Sequence, residues 1–487
     1  MGFRRKMESP KNRRMKHLTK SILHEIAGAE NLILPTNEQL NYPEKVLQFG
    51  TGVLLRGLPD QYISEANRSG KFRGRVVVVK STQNGTTDAF ADQDGLYTIC
   101  IKGIDNGQLV NQAYVNASIS RVLSAIEDWA AILECAKSED LSIVTSNTTE
   151  VGIVLMEENI FEGVPSSFPG KLLAILHARF VHFNGNLAKG LVVIPAELIE
   201  ENGSKLAYIL NRLAAHNQLG EAFINWLNQA NPICNTLVDR IVPGKLSTTD
   251  QAATEAALGY SDELMIMAEP FGLWAIESTD QQVIDALGFC DEEKGCKVVP
   301  SIQKFKELKL RMLNATHTFS CGVSILAGME LVKDSMQDEV IKSYISQLAL
   351  DEIADAITGE KISAAEADSF GKAVLDRFAN PFLEHKWVSI SAQFTLKMKI
   401  RCLPLILATY EKKGQLPLKM LIGFSAYLVQ MDLVNSDDLA SALGNVLSDE
   451  ATWGQDLVAI PGFLDKVLEI TASIQSKGII HTINQLA

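Results

Sequence analysis

The pattern of apolar and polar positions changes character near residue 300. From "EKVLQFGTG" onward, short apolar runs of strand length alternate with longer helical patterns, as in "VVVV" at 76–79, "LSIVTS" at 141–146 and "GLVVIPA" at 190–196. Such alternation predicts βαβ units and a parallel sheet, because parallel neighbours need a crossover between them. Beyond "KVVPSIQKFKELKL" the strand pattern stops. The remainder, with segments such as "PLKMLIGFSAYLVQM", shows apolar residues at a period of 3.6 broken by loops, which predicts a largely helical second domain. The expected fold class is α/β, with an N-terminal α/β domain over 41–300, a mainly α-helical C-terminal domain over 301–487 and an extension over 1–40. A chain of 487 residues exceeds one typical core, so two domains with a cleft between them are expected.

The first helix of the second domain has an unusual polar set. At roughly 100° per residue, Phe305, Leu308, Met312, Ala315, Phe319 and Leu326 share one stripe, the predicted core contact. Lys309, Asn314 and His317 fall across the other side among Leu310 and Leu313, and this partly apolar face reads as a cleft wall. An ammonium group among leucines loses hydration, which lowers its pKa and suits it to general-base work near neutral pH. Asn314 and His317 are neighbours on the helix surface, placed to donate hydrogen bonds to one substrate oxygen. A structural account stands beside this one, with the lysine snorkelling to water and the other two satisfied internally. Along an α-helix, residues 309 and 317 are roughly 12 Å apart at about 1.5 Å per residue, so convergence needs the long lysine side chain.

"VLQFGTGVLLRG" places Gly50, Thr51 and Gly52 directly after an apolar strand and before a helix. Two glycines at this spacing allow a tight turn and close approach of a pyrophosphate to backbone N–H groups, which makes the N-terminal domain Rossmann-like. The third glycine of the fingerprint is absent, since position 55 is Leu and Gly57 comes two residues late; an ordinary strand-to-helix turn remains the alternative. Arg56 follows where a basic side chain reaches a phosphate or, equally, where a helix carries a solvated charge. The next strand, "GRVVVVKST", ends in Lys80, Ser81 and Thr82 instead of the carboxylate that favours NAD; a lysine and hydroxyls could equally meet a 2′-phosphate, so the choice between NAD, the expected cofactor, and NADP stays open. "IVTSNTTEVG" sets Asn147, Thr148, Thr149 and Glu150 at the carboxyl edge of the sheet, where open α/β folds bind ligands, or else forms a plain turn.

With 46% hydrophobic and 21% charged residues, the composition is that of an ordinary globular protein. A net charge of −13 argues against nucleic acid or anionic lipid as partners, and any anionic ligand would need local Lys and Arg. The seven cysteines are scattered and odd in number, which predicts reduced thiols and a cytoplasmic setting. His177 and His182, five apart and away from cysteines, do not make a metal site. No apolar run of about 18 residues predicts a membrane span, and the basic start, "MGFRRKMESPKNRRMKH", lacks the apolar core of a signal peptide. That start is expected to be a mobile, solvated extension.

Taken together, "QFGTGVLLRG", "QDGLYT", "SNTTEVGI", "HFNGNLAKGLVVIPAELIEENG", "NTLVDRIV", "KLRMLNATHT" and "RFANPFLEHKWVSI" cover roughly residues 42–410 in order. They resemble the long-chain polyol dehydrogenase family typified by mannitol dehydrogenase, and within it the hexuronate branch; Lys309, Asn314 and His317 match its K-x-x-x-x-N-x-x-H pattern position for position. The resemblance implies a metal-independent, NAD(P)-dependent hydride transfer on a linear sugar acid, by a monomer or small homo-oligomer. It implies Lys309 as the acid/base, with Asn314 and His317 on the reacting oxygen. Asp239 is expected to line the substrate site with Arg240 supporting it, and Lys397 matches a lysine that binds substrate. Arg401 lies one helical turn beyond, so Lys397 and Arg401 are the candidates for a carboxylate. The polyol enzymes have an asparagine of the oxyanion site where this chain has Leu198; Glu197, just before it, reads as structural.

Overall fold

Five apolar runs of the first half form one parallel sheet in the computed structural model, which describes residues 15–28, 31–82, 87–148 and 152–486. In chain order they are β1 (Glu44–Phe49), β2 (Arg75–Lys80), β3 (Ile119–Ser124), β4 (Ile143–Ser146) and β5 (Val192–Pro195). Their spatial order is β3-β2-β1-β4-β5, with every neighbouring pair parallel. Val76 to Val79 are fully buried, as continuous apolar runs are when a sheet is covered on both faces. Leu172, Leu206, Leu210, Phe223 and Trp226, from the helices Phe168–His182, Asn202–His216 and Gly220–Ala230, share a core with Leu47, Val77, Val144 and Val193. The strand order reverses direction between β1 and β4, the switch point at which such sheets bind ligands.

Contacts divide the chain into two units, Met1–Ile101 with Asn111–Ile302, and Lys102–Val110 with Gln303–Ala487. The short inserted piece is the tip of a hairpin, Tyr97–Asp105 and Gln108–Asn116. Asn106 (φ 50°) and Gly107 (φ 73°) make its turn in the left-handed region, as a two-residue hairpin with native twist requires. Within the second unit, Asn380 Nδ2 donates to the Lys102 carbonyl at 3.2 Å and Gly107 N donates to Asp376 Oδ2 at 3.2 Å. The Lys102 ammonium also stands 5.6 Å from the Phe382 ring centre.

Two expectations about the first unit need correction. The extension is not a solvated tail from residue 15 onward: Lys16–His17 pairs with Tyr260–Ser261, Leu32–Ile33 pairs with Ala113–Tyr114, and Leu18, Ile22 and Leu23 are buried. Three apolar side chains within six positions outweigh the basic residues around them. Residues 1–14 lie outside the described part of the chain. Nor are all seven cysteines thiols, since Cys290 and Cys296, six apart, form a disulfide, while the other five are free and buried. No helix among the described residues is long and apolar enough to cross a membrane.

The second unit is helical, as the period-3.6 pattern predicts. Its centre is the contact between Thr316–Leu326 and Leu418–Gln430. A Cβ on Gly322 would come within 2.8 Å of the Ala426 carbonyl carbon, and one on Gly423 within 2.8 Å of the Phe319 oxygen, so these two glycines let the backbones touch. Phe463, Val467 and Ile470 of Phe463–Lys477 complete the core with Phe424 and Tyr427. The stripe predicted on the first helix of this unit is its core contact, since Leu308, Met312, Ala315 and Phe319 are buried and Phe305 and Leu326 pack against them. Residues Leu308–Ala315 are π-helical, as are Leu348–Ile353 and Met398–Cys402, so the chain there turns more slowly than 100° per residue.

Candidate active site

At the switch point of the first unit, the turn after β1 is shaped by Gly50. Its φ is +122°, and a Cβ there would lie 3.0 Å from both the Asn147 carbonyl oxygen and Leu55 Cδ1. Glycine alone lets this turn run so close to the loop after β4. Gly52 caps the short helix Val53–Gly57, and a Cβ built on it meets nothing within 4 Å, so the backbone is open to an approaching group. Thr51 between them is half-buried. Ser81, at the end of β2, holds its Oγ buried without a hydrogen-bond partner among the described residues.

The polar residues after β4 are tied down by one carboxylate. Glu197 accepts from Thr148 N (3.0 Å) and Oγ1 (2.9 Å) through Oε1 and from Ser146 Oγ (3.1 Å) through Oε2. Burial raises its pKa while these donors oppose the rise. Asn147 donates its Nδ2 to the Ala196 carbonyl at 2.7 Å. Asn147 and Thr148 thus reach the carboxyl edge as a fixed frame, while Thr149 and Glu150 lie outside the described residues. Leu198 is 58% exposed and offers no polar atom where the polyol enzymes have an amide.

Three basic residues take positions that the spacing did not foresee. Lys80 is buried with its ammonium donating to the Thr82 carbonyl at 2.5 Å, so it is committed to the backbone instead of an incoming 2′-phosphate. Arg56 is buried: its Nη1 donates to the Leu264 carbonyl at 2.7 Å, and its guanidinium carbon stands 5.3 Å from the Tyr97 ring centre and 5.7 Å from that of Phe90. The expected phosphate contact gives way to an interior bond, and burial lowers its pKa. Arg240 donates through Nε and Nη2 to the Glu269 carbonyl and through Nη1 to the Gly57 carbonyl and Gln61 Oε1. It braces the chain just after Asp239, which is buried at the end of the strand Thr236–Asp239.

Sequence reasoning missed a polar knot beneath the glycine turn. Gln48 Nε2 lies 3.3 Å from both the Gly50 carbonyl and Asp60 Oδ2. Tyr97 OH donates to the Arg56 carbonyl at 2.9 Å and approaches Asp60 Oδ2 at 3.5 Å. Asp60 is fully buried, and desolvation pushes its carboxyl up to about 7. Gln48 Oε1 and Asp60 Oδ1 both lack donors among the described residues. The available signal was a glutamine inside an otherwise apolar strand end, between Leu47 and Phe49.

In the second unit, Lys309 and Asn314 are half-buried on the π-helical segment. An i→i+5 ladder brings residues five apart closer to one line along the axis than an α-helix does, which keeps these two on the face that the wheel gave them. Thr318 Oγ1 donates to the Asn314 carbonyl at 2.8 Å, and the Asn314 side-chain amide has no hydrogen-bond partner among the described residues. His317 is buried, its ring 4.0 Å from Phe378, 5.2 Å from His385 and 6.2 Å from Trp387 between centres. Its Nδ1 lies 3.1 Å from the Leu313 carbonyl, and a carbonyl only accepts, so Nδ1 carries the hydrogen. Burial, His385, Arg377 and Arg401 hold its pKa well below the usual value. The ring is therefore neutral with Nε2 as an acceptor, which corrects the expectation that His317 donates to a substrate oxygen.

Lys397, Arg401 and the unforeseen His385 complete the cluster. Lys397 Nζ donates to the Ile390 carbonyl at 2.8 Å, and its pKa is lowered by burial and by Arg401. Burial likewise lowers the pKa of Arg401, whose Nε is buried without a partner among the described residues. His385, half-buried, is lowered by burial and by Lys397. Among the described residues, no carboxylate acts on these four side chains strongly enough to offset their burial. In a chain of net charge −13, such a patch favours an anion. His177, by contrast, packs between Phe161 and Phe223, and His182 packs on Phe183.

Comparison with known proteins matches both units to one family. Residues 44–285 match the family model described as the mannitol dehydrogenase Rossmann domain, and residues 301–460 match that of the mannitol dehydrogenase C-terminal domain. Altronate oxidoreductase of Bacillus subtilis (strain 168) is 36% identical over 465 residues, covering 91% of this chain and 95% of that protein. Its counterpart in Bacteroides thetaiotaomicron is 35% identical over 475 residues, covering 92% and 98%. Among solved structures, substrate-free D-sorbitol dehydrogenase shares the fold with a TM-score of 0.76 at 19% identity, covering 96% of this chain and 100% of that one. Pseudomonas fluorescens mannitol 2-dehydrogenase, solved with NAD and D-mannitol, gives a TM-score of 0.65 at 19% identity, covering 96% and 99%.

Proposed function

The chain belongs to the mannitol dehydrogenase family, and from that footing we propose that it is an NAD-dependent, metal-independent oxidoreductase of a linear hexuronate, interconverting D-tagaturonate and D-altronate. The observation that carries the choice of a sugar acid over a neutral polyol is the cluster of Lys397, Arg401 and His385 beside His317, in which no carboxylate stands among the described residues. The Gly50 turn, the open backbone at Gly52 and the orphaned Ser81 Oγ suit a pyrophosphate and a ribose hydroxyl. Lys80, held by the Thr82 carbonyl, supports NAD over NADP.

Bound NADH supplies the hydride that reaches the carbonyl carbon. Lys309 gives its proton to the oxygen that becomes a hydroxyl, and in the reverse direction the neutral amine takes that proton back. The amide N–H of Asn314, on the same face, donates to that oxygen as negative charge develops. Nε2 of His317 accepts from a substrate hydroxyl and fixes the orientation of the chain. Lys397 and Arg401 hold the carboxylate, Arg401 by its planar fork. These fixed contacts turn a bimolecular encounter into an oriented one, the largest contribution that side chains of this kind make.

The test is a substrate panel of tagaturonate, fructuronate, fructose and their reduced partners with NADH and NADPH, followed by nicotinamide absorbance. Tagaturonate with NADH is expected to give the highest kcat/KM. A preference for fructuronate would move the assignment to mannonate oxidoreduction, and a preference for fructose would overturn the sugar-acid reading.

A further inference from the structure

Arg311 lies two residues after Lys309 and three before Asn314, in the same π-helical segment. Its Nε meets Glu307 Oε2 at 3.2 Å, and its Nη1 donates to two backbone carbonyls of the neighbouring π-helical segment, Ile400 at 2.9 Å and Arg401 at 3.0 Å. The guanidinium is largely buried, with 16% of the side chain exposed. The sequence explains why the Ile400 carbonyl is open. Pro404, in the first turn of Leu403–Lys413, has no N–H, so the carbonyl four residues back, Ile400, loses its intrahelical donor. The helix widens there into its π-helical turn, closed by Leu403 N–H donating to Met398 O.

We propose that Arg311 is a positioning residue that sets the distance between the two halves of the substrate site. Its fork joins the segment bearing Lys309 and Asn314 to the segment bearing Arg401, by way of Arg401's own carbonyl. One half moves the proton and the other holds the carboxylate, so the joint fixes where the substrate carbonyl sits relative to the lysine. Pro404 is the second part of the device, because it keeps the Ile400 carbonyl available to Arg311. This inference rests on the functional reading above, and deepens it.

The test compares wild type, Arg311→Gln, Arg311→Lys and Pro404→Ala for kcat and KM on tagaturonate, Kd for NADH, thermal midpoint and pH profile. A misplacement of about 1 Å costs about 100-fold, so kcat/KM of Arg311→Gln is expected to fall about 100-fold through both constants. Its NADH Kd should stay within about twofold and its pH profile should not move, because the proton-transfer group is intact. Arg311→Lys keeps a point charge without the fork, and recovers only part of the loss. Pro404→Ala returns an N–H to the Ile400 carbonyl; it should keep a thermal midpoint within a few degrees of wild type yet lower kcat/KM about 10-fold. The proposal is overturned if Arg311→Gln or Pro404→Ala keeps wild-type kinetics, or if NADH binding falls in step with turnover. Should Arg311→Gln not fold, Arg311→Lys and Pro404→Ala decide. Wild type inactive on every hexuronate would instead overturn the functional reading, and the same four proteins would then be compared on the substrate that the panel identifies.

Discussion

Replacing Asp60 with asparagine tests the polar knot under the glycine turn. The carboxyl is fully buried, and desolvation lifts it from its ordinary 3.8 to about 7. A folded state that holds its proton to a higher pH than the unfolded chain binds more protons between about pH 4 and 7, so stability falls as pH rises through that window and levels off above it. At about 1.4 kcal/mol per tenfold, the full penalty is about 4 kcal/mol by pH 8. Asparagine carries no such penalty. Its oxygen keeps the bond from Gln48 Nε2, and its amide brings a donor where Gln48 Oε1 has none. Guanidinium unfolding of wild type and Asp60→Asn at steps from pH 4 to 8 should therefore show curves that nearly coincide at the acid end and diverge, in favour of the variant, by several kcal/mol at pH 8. Curves parallel to within about 0.5 kcal/mol across that range would mean that Asp60 is ionised in the folded protein at low cost.

Three further outcomes are expected. Lys309→Ala should lower kcat by at least about 100-fold, the usual span of a lost general acid/base, with NADH binding by fluorescence nearly intact; equal loss of both would make the lysine a structural element. Arg401→Ala and Lys397→Ala should each raise KM for tagaturonate far more than for fructose, and an equal rise for the two would remove the carboxylate from their account. His317 is held neutral by burial, its pKa well below the usual value, so it stays uncharged as pH rises from about 6. The pH dependence of kcat/KM should then show no step near pH 6.5 that disappears in His317→Asn, and such a step would mean that the ring titrates in the working enzyme.

The elements legible in the sequence were those set by local pattern. Continuous valines announced β2, the glycine spacing announced the turn, and the K-x-x-x-x-N-x-x-H pattern announced the trio. What was hidden depends on contacts between distant residues. The wheel at 100° per residue set the trio across one broad face without showing how Lys309 and Asn314 come into line, because nothing within 308–315 alone declares a π-helix. Arg56 and Arg240 follow the glycines and Asp239 in positions that suit ligands, yet their donors go to carbonyls more than twenty residues away. His385 becomes visible only once Lys397 and His317 are folded around it, and the basic start of the chain concealed the apolar residues that pin it to Tyr260.

The hairpin that crosses from one unit to the other limits how this protein can be taken apart or recombined. A fragment beginning at Gln303 would carry the helices while lacking the loop that bonds to Asn380 and Asp376 and stacks its lysine on Phe382. A chimera joined to a relative at that seam would set one parent's Asn106-Gly107 turn against the other parent's helices. Specificity grafts should therefore transfer the loop and the helical half as one inheritance.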